Sequence, residues 1–116
     1  MPTSRRPKSY IPRDFCIILV TCQSKIEARK IASSLLKKRL AACVNIMPGV
    51  DSRFWWKGNI DRSGEVLLTA KSVRRNFMRI EKAVRRLHSY DVPEIIAIPL
   101  IAGSADYLRW IACNVE

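Results

Sequence analysis

Residues 87 to 96 read Leu-His-Ser-Tyr-Asp-Val-Pro-Glu-Ile-Ile and hold the only histidine of the chain, with a tyrosine and carboxylates on either side of Pro93. Imidazole and carboxylate groups bind metal ions or move protons near neutral pH. Pro93 fixes the backbone at the entry to an apolar run of strand character. His88 and Glu94 are therefore the first candidates for a site, with Tyr90 between them. The four cysteines, Cys16, Cys22, Cys43 and Cys113, form no CxxC pair, three of them sit within apolar stretches, and they read as buried reduced thiols, not as a disulfide framework or a zinc site. Cys22 stands apart, because it falls just past an apolar run, where a strand end can expose a thiol to chemistry.

The elements that position these residues follow from periodicity. Phe15 to Thr21 is a near-continuous apolar run of strand length. Ser24 with Glu27 three residues on is a capping box, and Ala28, Ile31, Ala32, Leu35, Leu36 and Leu40 then keep helical spacing opposite Arg29, Lys30, Lys37 and Lys38. A second strand starts near Ala41, bends at Pro48-Gly49 and resumes through Phe54, Trp55 and Trp56. Lys57-Gly58 makes a turn, and Ile60 to Lys71 returns as a third strand. A second helix carries Phe77, Ile80, Val84 and Leu87 and delivers the chain to His88; Ile95 to Leu100 is a fourth strand, and Ser104 caps a short third helix.

The order β-α-β-β-α-β is that of the ferredoxin-like split βαβ, an α+β arrangement with an antiparallel sheet covered by helices on one face. Strands of about fifteen residues at ~3.3 Å each outrun a core of this size, so the hairpin should project as an arm. Its tip carries Phe54, Trp55 and Trp56, an apolar patch that a second copy of the chain would cover in a symmetric oligomer. The alternative is that the hairpin folds back on its own helices.

With 116 residues and 48% hydrophobic content, the chain fits one domain, expected from residue 14 to residue 116, behind a basic, proline-punctuated tail of residues 1–13. No apolar run approaches the ~18 to 20 residues of a membrane helix, and the leading residues contain no signal-peptide core, so the expected location is the cytoplasm, with no membrane partner. The net charge of +11 draws in polyanions without naming one. Basic residues gather in the tail and again from Arg74 to Arg86, where a solvated helix face explains them as well as a ligand does.

Leu40-Ala41-Ala42-Cys43-Val44-Asn45, Pro48-Gly49-Val50, Trp56-Lys57-Gly58, Glu65, Lys71, the run from His88 to Ile95, and Gly103 with Tyr107 and Trp110 together resemble the CutA family of divalent-cation tolerance proteins. The likeness runs from about Cys16 to Ile111. It implies a ferredoxin-like protomer in a homotrimer, a role in tolerance to copper and other divalent cations, copper binding, and no established catalytic activity. Family copper ligation is attributed to a cysteine beside the first-strand threonine and to histidine at the position of His88. Here Val20 precedes Thr21 and the cysteine follows it as Cys22, while Leu87 stands where a His-His pair would have its first member.

A metal site of His88, Glu94 and Cys22 suits copper or another divalent cation, since copper(II) favours imidazole and carboxylate and copper(I) favours thiolate. With one histidine per chain, tight binding would draw on adjacent subunits. The competing reading is that His88 and Glu94 hydrogen-bond each other or the backbone around Pro93. No phosphate-cradling glycine loop or nucleophile elbow is present, so an enzyme is not expected. Two other functions remain: a sensor of small effectors in subunit clefts, by analogy with trimeric nitrogen-regulatory PII proteins and using Lys71 and Tyr90, and nucleic-acid binding through the tail and second helix, the less favoured partner.

Overall fold

The computed structural model describes residues 10–116. Its elements in chain order are β1 (Phe15–Cys22), α1 (Lys25–Lys37), β2 (Cys43–Trp56), β3 (Asn59–Val73), α2 (Phe77–Leu87), β4 (Ile95–Pro99) and α3 (Ala105–Asn114), with short 3-10 turns at Pro12–Asp14 and Arg74–Asn76. The strands form one antiparallel sheet in the order β2-β3-β1-β4.

Alternation along β1 decides which face is covered. Cys16, Ile18, Val20 and Cys22 turn to one side and are buried with Val66, Leu68 and Ala70 of β3 under Ala28, Ile31 and Leu35 of α1 and Ile80, Ala83 and Val84 of α2. The helices thus bury their apolar stripes on the same face of the sheet. On the other face Phe15 and Val73 meet Leu108 and Ile111 of α3 in a smaller cluster. That helix covers only one end. Ile17, Leu19 and Leu67 are left half-buried, and Met47, Ile96 and Ile98 lie 41%, 48% and 49% exposed beside them.

Local chemistry accounts for the joints. Ser24 Oγ accepts the Glu27 N–H at 3.1 Å, as a capping box requires, but the Glu27 carboxylate reaches back to the Gln23 N–H instead of that of Ser24. At the far end of α1, the amides of Arg39 and Leu40 bond the carbonyls of Leu36 and Leu35, a Schellman closure with Arg39 in the left-handed region (φ 58°) where glycine is usual. Pro48-Gly49 produces a register shift between Met47 and Val50 within a continuous strand, with Gly49 at φ 85°. Lys57 and Gly58 both have positive φ, the primed turn that suits strand twist in a two-residue hairpin.

β1 ends its pairing at Cys22 opposite Val66, so Asn59 through Glu65 pair with β2 alone. Seven residues at ~3.3 Å carry the arm about 23 Å past the sheet. The extents of 58 × 27 × 23 Å record that projection, and Trp55 at the tip is 72% exposed. The hairpin does not fold back on the helices. Tyr10 to Arg13, expected to belong to the tail, are part of the fold: Tyr10 meets the Phe15 ring edge-on at 6.0 Å, and the Arg13 carbonyl accepts from Arg74. The rest of the expected tail, residues 1–9, lies outside the described residues.

Candidate functional site

His88 caps the C-terminus of α2, its amide bonding the Val84 carbonyl at 2.9 Å, and its imidazole is 0% exposed. Nε2 lies 2.7 Å from the Thr21 carbonyl oxygen, and Nδ1 lies 3.1 Å from the Tyr90 amide nitrogen. A carbonyl can only accept and an amide N–H can only donate, so this partner set assigns the proton to Nε2 and leaves the Nδ1 lone pair facing Tyr90 N–H. Both ring nitrogens are used.

Glu27 completes the enclosure from α1. Its Oε1 accepts the Ser89 N–H at 3.0 Å, and Oε2 accepts the Gln23 N–H at 3.3 Å and stands 3.8 Å from His88 Nδ1. Cys22 is buried at 0% exposure on the helix-covered face. One ligand atom from each of Cys22, Glu27 and His88 falls within 4.8 Å of the others. Burial pushes the Cys22 thiol up to about 12, with the Glu27 and Glu65 carboxylates adding to the rise. The thiol is therefore held protonated.

Three of the expectations need correction. Cys22 is not exposed at the strand end, because it continues the inward alternation of β1. Glu94 does not join His88: it is exposed, and the carboxylate beside the imidazole is Glu27, so the competing reading in which His88 and Glu94 bond each other also falls. Cys43 and Cys113 are not buried, the first being half-buried and the second exposed. Within one protomer Lys71 and Tyr90 lie apart. Lys71 bonds Asn45 Oδ1 at 2.8 Å near the end of β3, whereas Tyr90 OH donates to Glu65 Oε2 at 2.7 Å at the root of the arm.

Glu27 and Glu65 are the residues that sequence reasoning passed over. Glu27 was visible only as a helix cap, and Glu65 only as part of a resemblance. A carboxylate heading the apolar run Val66-Leu67-Leu68 is itself a signal, since burial there demands a donor. Tyr90 supplies it. Burial, the hydrogen bond to Glu65 and its charge together raise the Tyr90 phenol to about 12.

Between the arm and the 89–94 segment lies a cleft of about 850 Å³ lined by Thr21, Glu65, Tyr90, Asp91, Glu94 and the arm aromatics Phe54, Trp55 and Trp56. Glu94 and Tyr90 thus face this open space, and the imidazole is sealed behind it. Chemically, the enclosed cluster staples three elements: the end of β1, the start of α1 and the exit from α2.

The residues thus build a small α+β chain with an antiparallel sheet uncovered over most of one face, a projecting hairpin and a buried Cys-Glu-His cluster at the sheet end. Residues 16–114 match the family model of the CutA1 divalent ion tolerance protein, and the chain belongs to that family. It is 42% identical over 98 residues, 84% of this chain and 95% of the relative, to the divalent-cation tolerance protein CutA of Thermus thermophilus. The human protein CutA is 37% identical over 110 residues, of which this chain spans 62% of the length. Among solved structures, the one described as a periplasmic divalent cation tolerance protein CutA from Archaeoglobus fulgidus superposes with a TM-score of 0.85 at 41% identity, covering 88% of this chain and 99% of the other.

Proposed function

We propose that the chain is a non-catalytic, self-assembling protein of the divalent-cation tolerance type, a ferredoxin-like protomer that forms a homotrimer and binds copper or another divalent cation weakly. The observation that carries the assembly is the bare sheet face. Met47, Ile96 and Ile98 are 41% to 49% exposed there, in one apolar surface with Ile17, Leu19 and Leu67, and the Phe54-Trp55-Trp56 arm reaches past the protomer's own core. Such a surface is costly in water and is relieved when copies close around an axis.

The cluster is the place among the described residues where a cation would bind, and its state sets that binding as weak. Cys22, Glu27 and His88 bring together a thiol, a carboxylate and an imidazole, donor types that suit copper, yet they do not fit a resident metal in this arrangement. A cation must strip the proton from a thiol raised to about 12 and displace the Tyr90 N–H from Nδ1, and no ligand comes from Glu94. No helix among the described residues is long and apolar enough to cross a membrane, and we place the chain in the cytoplasm.

Two measurements test this reading. Sedimentation equilibrium should return three times the protomer mass of 13.3 kDa, and a monomer at micromolar concentration refutes the assembly. Copper titration of the native chain beside Cys22→Ala should show weak binding that the variant loses. Equal binding by both removes the cluster from the reading.

A further inference from the structure

The net charge of +11 is not spread over the molecule. Six cations fall between Lys25 and Arg39, on α1 and its C-terminal closure, and six more between Arg74 and Arg86, on α2 and its lead-in. All twelve are exposed. The same segments contain two carboxylates, Glu27, which is buried beneath the layer, and Glu81. Everything outside them carries nine cations against eight carboxylates and is nearly neutral.

The two helices pack side by side over the same sheet face, so the charge forms one layer. Among the described residues its only ion pair is Arg85 with Glu81 at 3.3 Å. This layer is on the side of the sheet opposite the proposed assembly face, so self-association leaves it free.

From this asymmetry we infer that the α1–α2 layer is a sequence-independent docking surface for the phosphate backbone of nucleic acid. Arginine predominates on the α2 side, and its planar fork matches phosphate oxygens. A lipid surface is the poorer occupant. Interfacial helices need a free apolar face, and both stripes here are spent on the core; the exposed Ile26, Leu36, Met78 and Leu87 sit singly at helix ends. Phe77, the one aromatic of the two helices, packs against the core and leaves no exposed ring on the layer to stack a base, so binding reads charge alone.

The scale of the effect can be set from length. Helix α1 has 13 residues. At 1.5 Å per residue it spans about 20 Å, along which a duplex carries about twelve phosphates. With a third to a half of these facing the protein, four to six are neutralised, giving a slope of log K against log salt of about −4 to −5. Affinity should then fall about 10² to 10³-fold between 50 and 200 mM salt.

Fluorescence anisotropy of the full chain with a labelled random-sequence 20-base-pair duplex tests the inference. Three sets of variants, checked for native circular dichroism, divide the charge: Lys82→Glu with Arg86→Glu on the layer, Arg53→Glu with Arg62→Glu on the arm, and Arg5→Ala, Arg6→Ala and Lys8→Ala near the N-terminus. The layer pair should weaken binding at 50 mM salt at least about tenfold and flatten the slope by about two, while the arm pair, with the same change in net charge, has a far smaller effect. The inference is overturned by no binding at 50 mM salt, a slope shallower than about −2, equal losses on arm and layer, abolition by the N-terminal variant alone, or tighter binding to phosphatidylserine vesicles than to the duplex.

Discussion

Replacing His88 by alanine should cost stability well beyond the loss of one side chain. The imidazole is 0% exposed, and it satisfies a carbonyl and an amide: Thr21 O at 2.7 Å and Tyr90 N at 3.1 Å. Alanine leaves both backbone groups without a protein partner at about 1 to 3 kcal/mol each and opens a void, so about 3 to 5 kcal/mol is expected. With a urea slope of about 1 to 3 kcal/mol/M, the midpoint falls by at least about 1 M. His88→Gln should recover about 1 to 2 kcal/mol, because its amide N–H can reach the Thr21 carbonyl. The assay is equilibrium urea unfolding at one fixed protomer concentration, which keeps assembly from moving the midpoint. Excess chelator should leave the native midpoint unchanged. A loss on alanine substitution below about 1 kcal/mol, or identical Gln and Ala variants, refutes the latch; a chelator-induced drop as large as the alanine effect shows that a metal holds the histidine instead.

Tyr90 gives a pH-dependent prediction. Its phenol lies near 10 when unfolded and is raised to about 12 in the fold, so the native state keeps a proton that the unfolded chain releases. Its stabilising contribution is complete below pH 10 and is lost as pH rises toward 12; Tyr90→Phe should flatten that decline in thermal melts taken across the window. Cys22, raised to about 12 and buried, should not react with a disulfide reagent near pH 8 in the native chain, whereas exposed Cys113 should react at once. Fast labelling of Cys22 without denaturant, read by peptide mass mapping, contradicts the enclosed site. Ile98→Lys on the bare face should shift the sedimenting mass toward 13.3 kDa while leaving the circular dichroism spectrum unchanged. An intact oligomer places the interface elsewhere.

How far the fold was legible depended on how local its causes are. The start and buried stripe of α1 could be read because its cap, Ala28, Ile31, Ala32 and Leu35, and its basic face all fall within fourteen residues of Ser24, but Leu36 is exposed and Leu40 lies past the helix end at Lys37. The hairpin turn was legible from Lys57-Gly58, and strand length alone required the arm to project. Pro48-Gly49 announced an irregularity but not its form: a bulge keeps pairing on either side of the shift, whereas a bend would have broken it. The burial of Cys22 was available and missed. Cys16, Ile18, Val20 and Cys22 share one parity, so placing the first three in a core places the fourth there too. Tyr10 to Arg13 were lost to the opposite error, since a segment held by one aromatic contact and one carbonyl leaves no periodic trace.

The site resisted reading for a different reason. Its histidine was identifiable because it is the only one, but neighbours in sequence proved poor guides to neighbours in space. His88 answers to Thr21, 67 residues away, through a backbone carbonyl that no residue type encodes. Ser89 answers to Glu27, 62 residues away. Proximity of donors is also a weaker statement than ligation. Sulfur, carboxylate and imidazole stand within 4.8 Å of one another, yet amide donors occupy the carboxylate and Nδ1, and burial holds the thiol proton. The residue types that suggest a metal are here arranged so that the fold itself consumes their lone pairs. Binding a cation at this cluster therefore means loosening the joint between β1, α1 and α2, and the affinity of the site is tied to the stability of that joint.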